Sequence, residues 1–362
     1  PFTGTFDGNG YTISNLYINR PDKEGVGLFG YILNGNINNV TIKDANIDGN
    51  NYVGVLAGIA IDANIKNIHT FGGVVSGNDV VGGIVGNAAY SNISCSSSSA
   101  SVDGNDTVGG IAGYLIASNL FKSFSTSFVK GNYSVGGLVG FETFDEYSNN
   151  SGSIVSDCYA EGNVSCDINY AGGLIGFVDS NSSISSISSV SKSYSTGKII
   201  GGATNKGGLV GYSKPSSIIE KSYWDINTSD QNLSPNFGAL GKTTADMKKS
   251  TTFSNWSIST KSGDKSKIWY INQGNNYPRL QWEFGGLCIP QDHCSNGVKD
   301  EDETGKDCGG NDCIKCYSGS SGGNTQQLGI SNLQTEVYTS PEFIITRKIY
   351  NYKYLDKKNI KT

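Results

Sequence analysis

Short runs of alternating apolar and polar residues recur along the first two-thirds of the chain. A period of two is typical of β-strands that bury one face. The runs lead into Gly-Asn or Asp-Gly pairs, which are turn signals because these residues tolerate positive φ. The clearest runs are residues 40–43, 93–96, 120–123, 155–158 and 190–193, and the turn pairs are 48–49, 77–78, 103–104, 131–132 and 162–163.

A glycine motif repeats in step with these runs. Gly-Gly, a hydrophobic residue, a small or hydrophobic residue and a closing Gly occupy 82–86, 109–113, 136–140, 172–176 and 207–211, and looser copies end at Gly30 and Gly58. The closing glycines are first 27 or 28 residues apart and then about 35, a period that indicates stacked repeats. A propeller blade needs about 40 residues or more, so the unit favours one coil of a solenoid with three short strands.

The sequence therefore predicts an all-β fold, a right-handed parallel β-helix. A single coil cannot bury its apolar residues, but coils stacked about 4.8 Å apart build a continuous inner column of Val, Ile and Leu. Glycine suits corners where a small residue must face inward or the backbone turns sharply.

Composition indicates a soluble protein of extracellular type, with 16% charged residues and a net charge of −5. No basic stripe indicates nucleic acid as a partner, and no apolar run of about 18 residues predicts a membrane span. The chain begins with Pro1 and carries no signal peptide, so we expect a fragment of a longer precursor whose export signal lies outside it.

Residues 1–13, Pro-Phe-Thr-Gly-Thr-Phe-Asp-Gly-Asn-Gly-Tyr-Thr-Ile, together with the Gly-Gly-Leu-Val-Gly repeats, resemble the GLUG-repeat proteins. These are surface or secreted proteins, and the repeat occurs in adhesins and in IgA-specific metalloproteases. The resemblance covers about residues 1–285 and implies a β-helix over 1–225 with a closing segment over 226–285. It implies an architecture more than an activity, because the repeat is a scaffold for unrelated functions.

The closing segment is rich in aromatic residues. The open end of a β-helix exposes unpaired backbone and apolar side chains, so a C-terminal cap is expected there. We expect the following aromatic residues to cover the end, the alternative being a carbohydrate-stacking platform: Trp224, Phe253, Trp256, Trp269 and Trp282.

Residues 286–317 form a separate Cys-rich module that resembles the Asp-Cys-Gly-Gly modules of secreted proteins. Too short for a useful core, it is expected to be held by disulfides. Its five cysteines, an odd number, are the disulfide candidates: Cys288, Cys294, Cys308, Cys313 and Cys316.

The acidic stretch inside this module suits a hard cation. Asp300, Asp302, Glu303 and Asp307 could supply oxygen ligands to calcium, although the full EF-hand pattern is lacking. A solvated acidic loop explains the stretch equally well. Zinc is a third hypothesis, based on the Cys313-x-x-Cys316 pair and on a histidine next to Cys294, but a second closely spaced cysteine pair is missing.

Three more cysteines lie in the repeats. Cys95 and Cys158 occupy nearly equivalent places two coils, or about 9.6 Å, apart, beyond the roughly 7 Å that a disulfide can bridge. Cys158 can pair with Cys166 across a turn, or both can remain free thiols.

Catalytic signals are weak. The two histidines, His69 and His293, form no His-Glu-x-x-His segment, and no Gly-x-Ser-x-Gly segment occurs. We expect His69 to be structural. The candidate acids fall at different places in the repeat, and no enzymatic constellation is predicted: Asp44, Asp62, Asp79, Asp103, Asp157 and Asp167.

Residues 318–327 are a Ser/Gly linker, and 328–362 are a tail or the start of a further domain. The leading prediction is an extracellular or cell-surface protein that uses a long β-helix for non-catalytic adhesion to glycans or to surface or host proteins. A passive stalk and a β-helix polysaccharide lyase or hydrolase are the rivals. The lyase or hydrolase would require clustered carboxylates along a cleft.

Overall fold

The computed structural model describes residues 1–145, 152–181, 186–232, 238–285 and 288, and the backbone of 335–340 and 343–348. It divides into two compact units, Pro1–Cys288 and Ile289–Thr362. The first is a parallel β-solenoid, which confirms the predicted fold class. In the second, Thr335–Ser340 and Phe343–Lys348 form an antiparallel ribbon. The cysteines from Cys294 onward lie outside the described residues.

Each coil passes through three parallel sheets. Sheet 1 contains Phe29–Leu33, Ala57–Ile61, Val85–Ala89, Ala112–Ile116, Val139–Thr143, Ile175–Val178 and Val210–Ser213. Sheet 2 contains Val53–Gly54, Asp79–Gly82, Asp106–Gly109, Val135–Gly136, Tyr170–Gly172 and Asn205–Gly207. Sheet 3, the widest, contains Thr5–Asp7, Thr12–Ser14, Tyr17–Arg20, Asn36–Gly49, Asn64–Ser76, Asn92–Ser94, Ser97–Ser98, Ser101–Asp103, Asn119–Phe121, Phe124–Ser125, Val129–Gly131, Ile154–Ser156, Tyr159–Ala160, Val164–Cys166, Ser189–Ser191, Tyr194–Ser195, Ile199–Ile200, Ile218–Glu220, Ser222–Asp225 and Ala239–Lys242.

The strand register confirms the period found in the sequence. Val85 pairs with Ala57 of the coil before it and with Ala112 of the coil after it. Val139 pairs with Ile175, so this coil is longer. In the sequence of each long coil, the extra residues fall in the segment between its sheet 1 strand and its next sheet 3 strand, 144–153 in one coil and 179–188 in the other.

The repeated glycines are required by close packing of backbone on backbone. A Cβ on Gly140 would lie 2.6 Å from the Val108 nitrogen and 2.7 Å from the Gly113 oxygen. The turn-pair glycines also lack positive φ, so that part of the turn prediction was wrong. At Gly77, for example, a Cβ would lie 2.8 Å from a methyl carbon of Val81, and only glycine fits.

Positive φ occurs instead at non-glycine residues, and one such position recurs in coil after coil where sheet 3 bends. We call these stacked residues the left-handed column: Asn39, Asn67, Cys95, Lys122, Asp157, Lys192 and Lys221. The residue that follows each member of this column belongs, in the later coils, to a buried polar ladder. There the Ser96 hydroxyl accepts a hydrogen bond from the Ile68 backbone amide (3.1 Å), and the Ser193 hydroxyl accepts one from the Cys158 backbone amide (3.1 Å). The ladder thus satisfies backbone amides that the bend removes from the sheet.

The solenoid ends where Ala239–Lys242 pairs with Ser222–Asp225, with Trp224 only 4% exposed at this last rung. The short helix Ile226–Ser229 comes between these two strands in the chain. After them follow the helix Thr244–Met247, the 3-10 helices Ser250–Phe253 and Gln281–Phe284, and a small sheet of Ile258–Ser259, Trp269–Tyr270 and Arg279–Leu280. Within the described residues, no helix is long and apolar enough to span a membrane.

Candidate functional site

The segment after the last rung lies along the flank of sheet 3. We call Thr244–Gly285 with Cys288 the strap. It is anchored at four positions of the left-handed column. Three anchors are hydrogen bonds of 2.8 Å from an indole Nε1: Trp256 donates to the Lys221 backbone oxygen, Trp269 to an Asp157 carboxylate oxygen and Trp282 to the Lys122 backbone oxygen. The fourth anchor is a disulfide between Cys288 and Cys95 (Cα–Cα 6.0 Å). Trp269 and Trp282 therefore lie two and three coils away from the end that they were predicted to cover.

The strap buries an aromatic column of sheet 3. Phe124, Tyr159 and Tyr194 stack ring on ring with centroids 4.7 and 5.1 Å apart, and Trp269 packs against both tyrosines. The hypothesis of a carbohydrate platform at the capping aromatics was wrong, because four of them are at most 5% exposed: Trp224, Phe253, Trp256 and Trp269.

Two carboxylates absent from the sequence-based candidates, Glu161 of the solenoid and Glu283 of the strap, lie in one cluster with Arg279 and Tyr159. Arg279 contacts Glu161 (2.8 Å) and donates to the Tyr159 hydroxyl (2.8 Å), which in turn donates to Glu283 (3.0 Å). Burial raises the pKa of Glu283, and the Leu280 amide opposes that rise. Burial also raises the pKa of the Tyr159 and Tyr194 hydroxyls. Every polar group has a partner inside the cluster, so its geometry indicates a lock between strap and solenoid.

Cys95 and Cys158 occupy adjacent positions of the coil, and this one-residue difference determines which of them can form a disulfide with the strap. Cys95 lies in the left-handed column and reaches the strap, whereas Cys158 aligns with Ser96 and Ser123 in the polar ladder. The prediction that these two are not bonded to each other is confirmed. Cys158 and Cys166 are buried free thiols, and burial raises the pKa of both. Cys288, predicted for the Cys-rich module, pairs with the solenoid.

The remaining predicted residues are structural or lie elsewhere. His69 contacts Ser97 and Asn67, both at 2.9 Å, and burial lowers its pKa. Of the candidate acids, Asp157 is buried against the strap, while Asp103 forms an exposed ion pair with Lys130. Asp300, Asp302, Glu303 and Asp307 lie outside the described residues. Within the described part of the chain, no group of three His, Cys, Asp or Glu is placed to hold a metal ion.

One flank of sheet 1 carries an aromatic ridge, made of Tyr114, Phe141, Phe177 and Tyr212. The first three rings stack nearly parallel, with centroids 4.9 and 4.7 Å apart. All four are partly exposed. Because the ring faces contact one another, this part of the ridge offers ring edges to a partner.

At one end of the ridge the rings are tilted instead of stacked. We call Tyr170, Phe177 and Tyr212, with Asn169 and Asn205 beside them, the aromatic corner. Tyr170 and Tyr212 are tilted by 36° and 58° to Phe177, and their own centroids are 5.4 Å apart. These tilted rings do not stack face to face as the other ridge rings do. Beside Tyr170, the amides of Asn169 and Asn205 are hydrogen-bonded across coils at 3.2 Å and partly exposed. Aromatic faces beside amide groups can recognise a ligand that is apolar on one side and hydroxylated on the other.

The aromatic ridge was not anticipated, although the sequence contains its signal. An aromatic residue directly follows the closing glycine of most repeats: Tyr31, Tyr114, Phe141, Phe177 and Tyr212. Residues at the same phase of a solenoid lie above one another, so the Gly-aromatic pair predicts the stack.

The chain is similar in part to two known proteins. No family model matches. Halomucin of Haloquadratum walsbyi is 52% identical over 58 residues, which are 16% of this chain and 1% of halomucin. The crystal structure of a putative immunoglobulin A1 protease from Bacteroides ovatus is similar with a TM-score of 0.45 and 18% identity, over 76% of this chain and 77% of that one.

Proposed function

We propose that this chain is an extracellular or cell-surface repeat protein that binds glycans or surface proteins without catalysis, through the aromatic ridge and the aromatic corner. The observation that carries the proposal is the ridge itself. Its aromatic side chains remain partly exposed on four successive coils, although the strap buries the aromatic column of sheet 3.

The chemistry of the corner favours glycans as its ligand. Sugar C–H groups pack on aromatic faces, and sugar hydroxyls pair with amides such as those of Asn169 and Asn205. Successive coils repeat the surface at about 4.8 Å, which suits weak contacts made many times along a polymer. The stacked part of the ridge, which offers ring edges, suits a protein surface.

Two observations support an extracellular location. Disulfides such as Cys95–Cys288 form and persist in oxidising compartments. The short similarity to a protein named halomucin accords with the same location. The calcium hypothesis for residues 300–307 remains part of the proposal and is tested in the same experiment.

The test is a binding assay with the full chain on immobilised polysaccharides and surface glycoproteins, with and without calcium, with ligand mass recorded. A double variant, Tyr170→Ala with Tyr212→Ala, should weaken retention at least tenfold. The control Tyr11→Ala removes a tyrosine that is 75% exposed at a distant coil and should change nothing. Equal retention by both variants would refute the corner as the site. Cleaved ligand would favour an enzyme, and no retention would favour the stalk.

A further inference from the structure

The disulfide between solenoid and strap changes how the chain carries tension. Cys95 and Cys288 are 193 residues apart in sequence but joined by one covalent bond. Tension follows the shortest covalent path. We propose that this bond diverts mechanical load past residues 96–287, so that the later coils and the strap form a force-shielded block, and that reduction converts the chain into a longer tether.

Contacts between the strap and the coils inside the disulfide loop hold the shielded block together. The loop encloses the anchors of Trp256, Trp269 and Trp282 and the Arg279 lock. With the disulfide intact, none of these contacts lies on the loaded path. The coils before Cys95 do lie on it, and they are stacked mainly by sheet hydrogen bonds and core side chains. They should therefore unfold first and refold on the edge that the block retains.

Reduction opens the longer path. A dithiol attacks one sulfur, the S–S bond breaks through a mixed disulfide, and two electrons and two protons convert the cysteines to thiols while the dithiol becomes a disulfide. The tether then gains residues 96–287, because the path between the two cysteines now follows their full sequence separation of 193. At 3.3–3.6 Å per extended residue this gain is roughly 64–69 nm. The inference goes beyond the proposed binding function and does not depend on it.

Single-molecule force spectroscopy on the full chain, held at its two ends, tests the proposal. The oxidised protein should reach a fully extended length roughly 64–69 nm shorter than the Cys95→Ser, Cys288→Ser variant. The matched control, Cys158→Ser with Cys166→Ser, removes two thiols outside the bond and should match the oxidised wild type. Equal lengths of the wild type and the Cys95→Ser, Cys288→Ser variant would overturn the proposal. Full extension does not depend on whether a variant folds, so the comparison holds even for a destabilised chain.

A second measurement uses the wild type alone and tests the shielding. Adding dithiol to the stretched molecule should lengthen it, by up to roughly 64–69 nm at full extension, and add unfolding events absent before reduction. If those events already occur in the oxidised molecule, residues 96–287 carry load and the proposal fails.

Discussion

Glu142 provides the sharpest test of how this solenoid is packed. Its side chain takes a place in the core column between Leu115 and Val178, and it is fully buried. Among the described residues, neither carboxylate oxygen has a partner at normal hydrogen-bond geometry. Burial raises the pKa of Glu142 well above its ordinary value of 4.5, and the Ser189 amide only partly opposes this. The folded protein should therefore hold this carboxyl in its neutral form.

The sign of the pH effect follows from this raised pKa. Below pH 4.5 the carboxyl is protonated in the folded and unfolded states, and its ionisation costs no stability. Above that pH the unfolded state releases the proton first, so stability falls as pH rises through the folded-state pKa. The limiting slope is about 1.4 kcal/mol per pH unit. Glu142→Leu removes this slope and an unpaired polar group, and should stabilise the protein by about 2 kcal/mol or more at pH 7.

Urea unfolding at pH 5, 6, 7 and 8 measures the effect, with equal m-values required for each comparison. The advantage of Glu142→Leu over the wild type should grow between pH 5 and 6. Glu220→Gln is the control, because the Glu220 side chain is 52% exposed beside Lys221, and its curve should parallel the wild type. A Glu142→Leu advantage that stays constant with pH would refute the neutral buried carboxyl.

Two further substitutions test the close packing at the repeated glycines and the anchoring of the strap. Gly140→Ala should cost about 3 kcal/mol or more, because the new Cβ meets the Val108 backbone, whereas Gly4→Ala, whose Cβ would lie 3.5 Å from the nearest side chain, should be tolerated in the same urea titration. Trp269→Phe should cost about 1–3 kcal/mol by leaving the buried Asp157 without its indole donor, and an unchanged midpoint would show that this anchor adds nothing.

The repeat architecture could be predicted because its information is local and recurs. The closing glycines, among them Gly113, Gly140 and Gly176, fix the coil length, and the alternating runs fix the strands. The physical reason for those glycines was only partly anticipated, because the contact between the Gly140 region and the Val108 backbone depends on how two sheets approach. The aromatic ridge lay within reach of the same periodic argument.

The strap required the tertiary structure. Its anchors join residues 112, 160 and 193 positions apart, and they follow no repeat that a sequence pattern could show. The disulfide between Cys95 and Cys288 depends on the exact position of Cys95 in its coil, because a cysteine one position later would lie in the polar ladder. The sequence by itself therefore determined the coil and its stacking, which are periodic. Only the tertiary structure decided that the strap covers the flank of sheet 3, because its anchors depend on side chains brought together from distant coils.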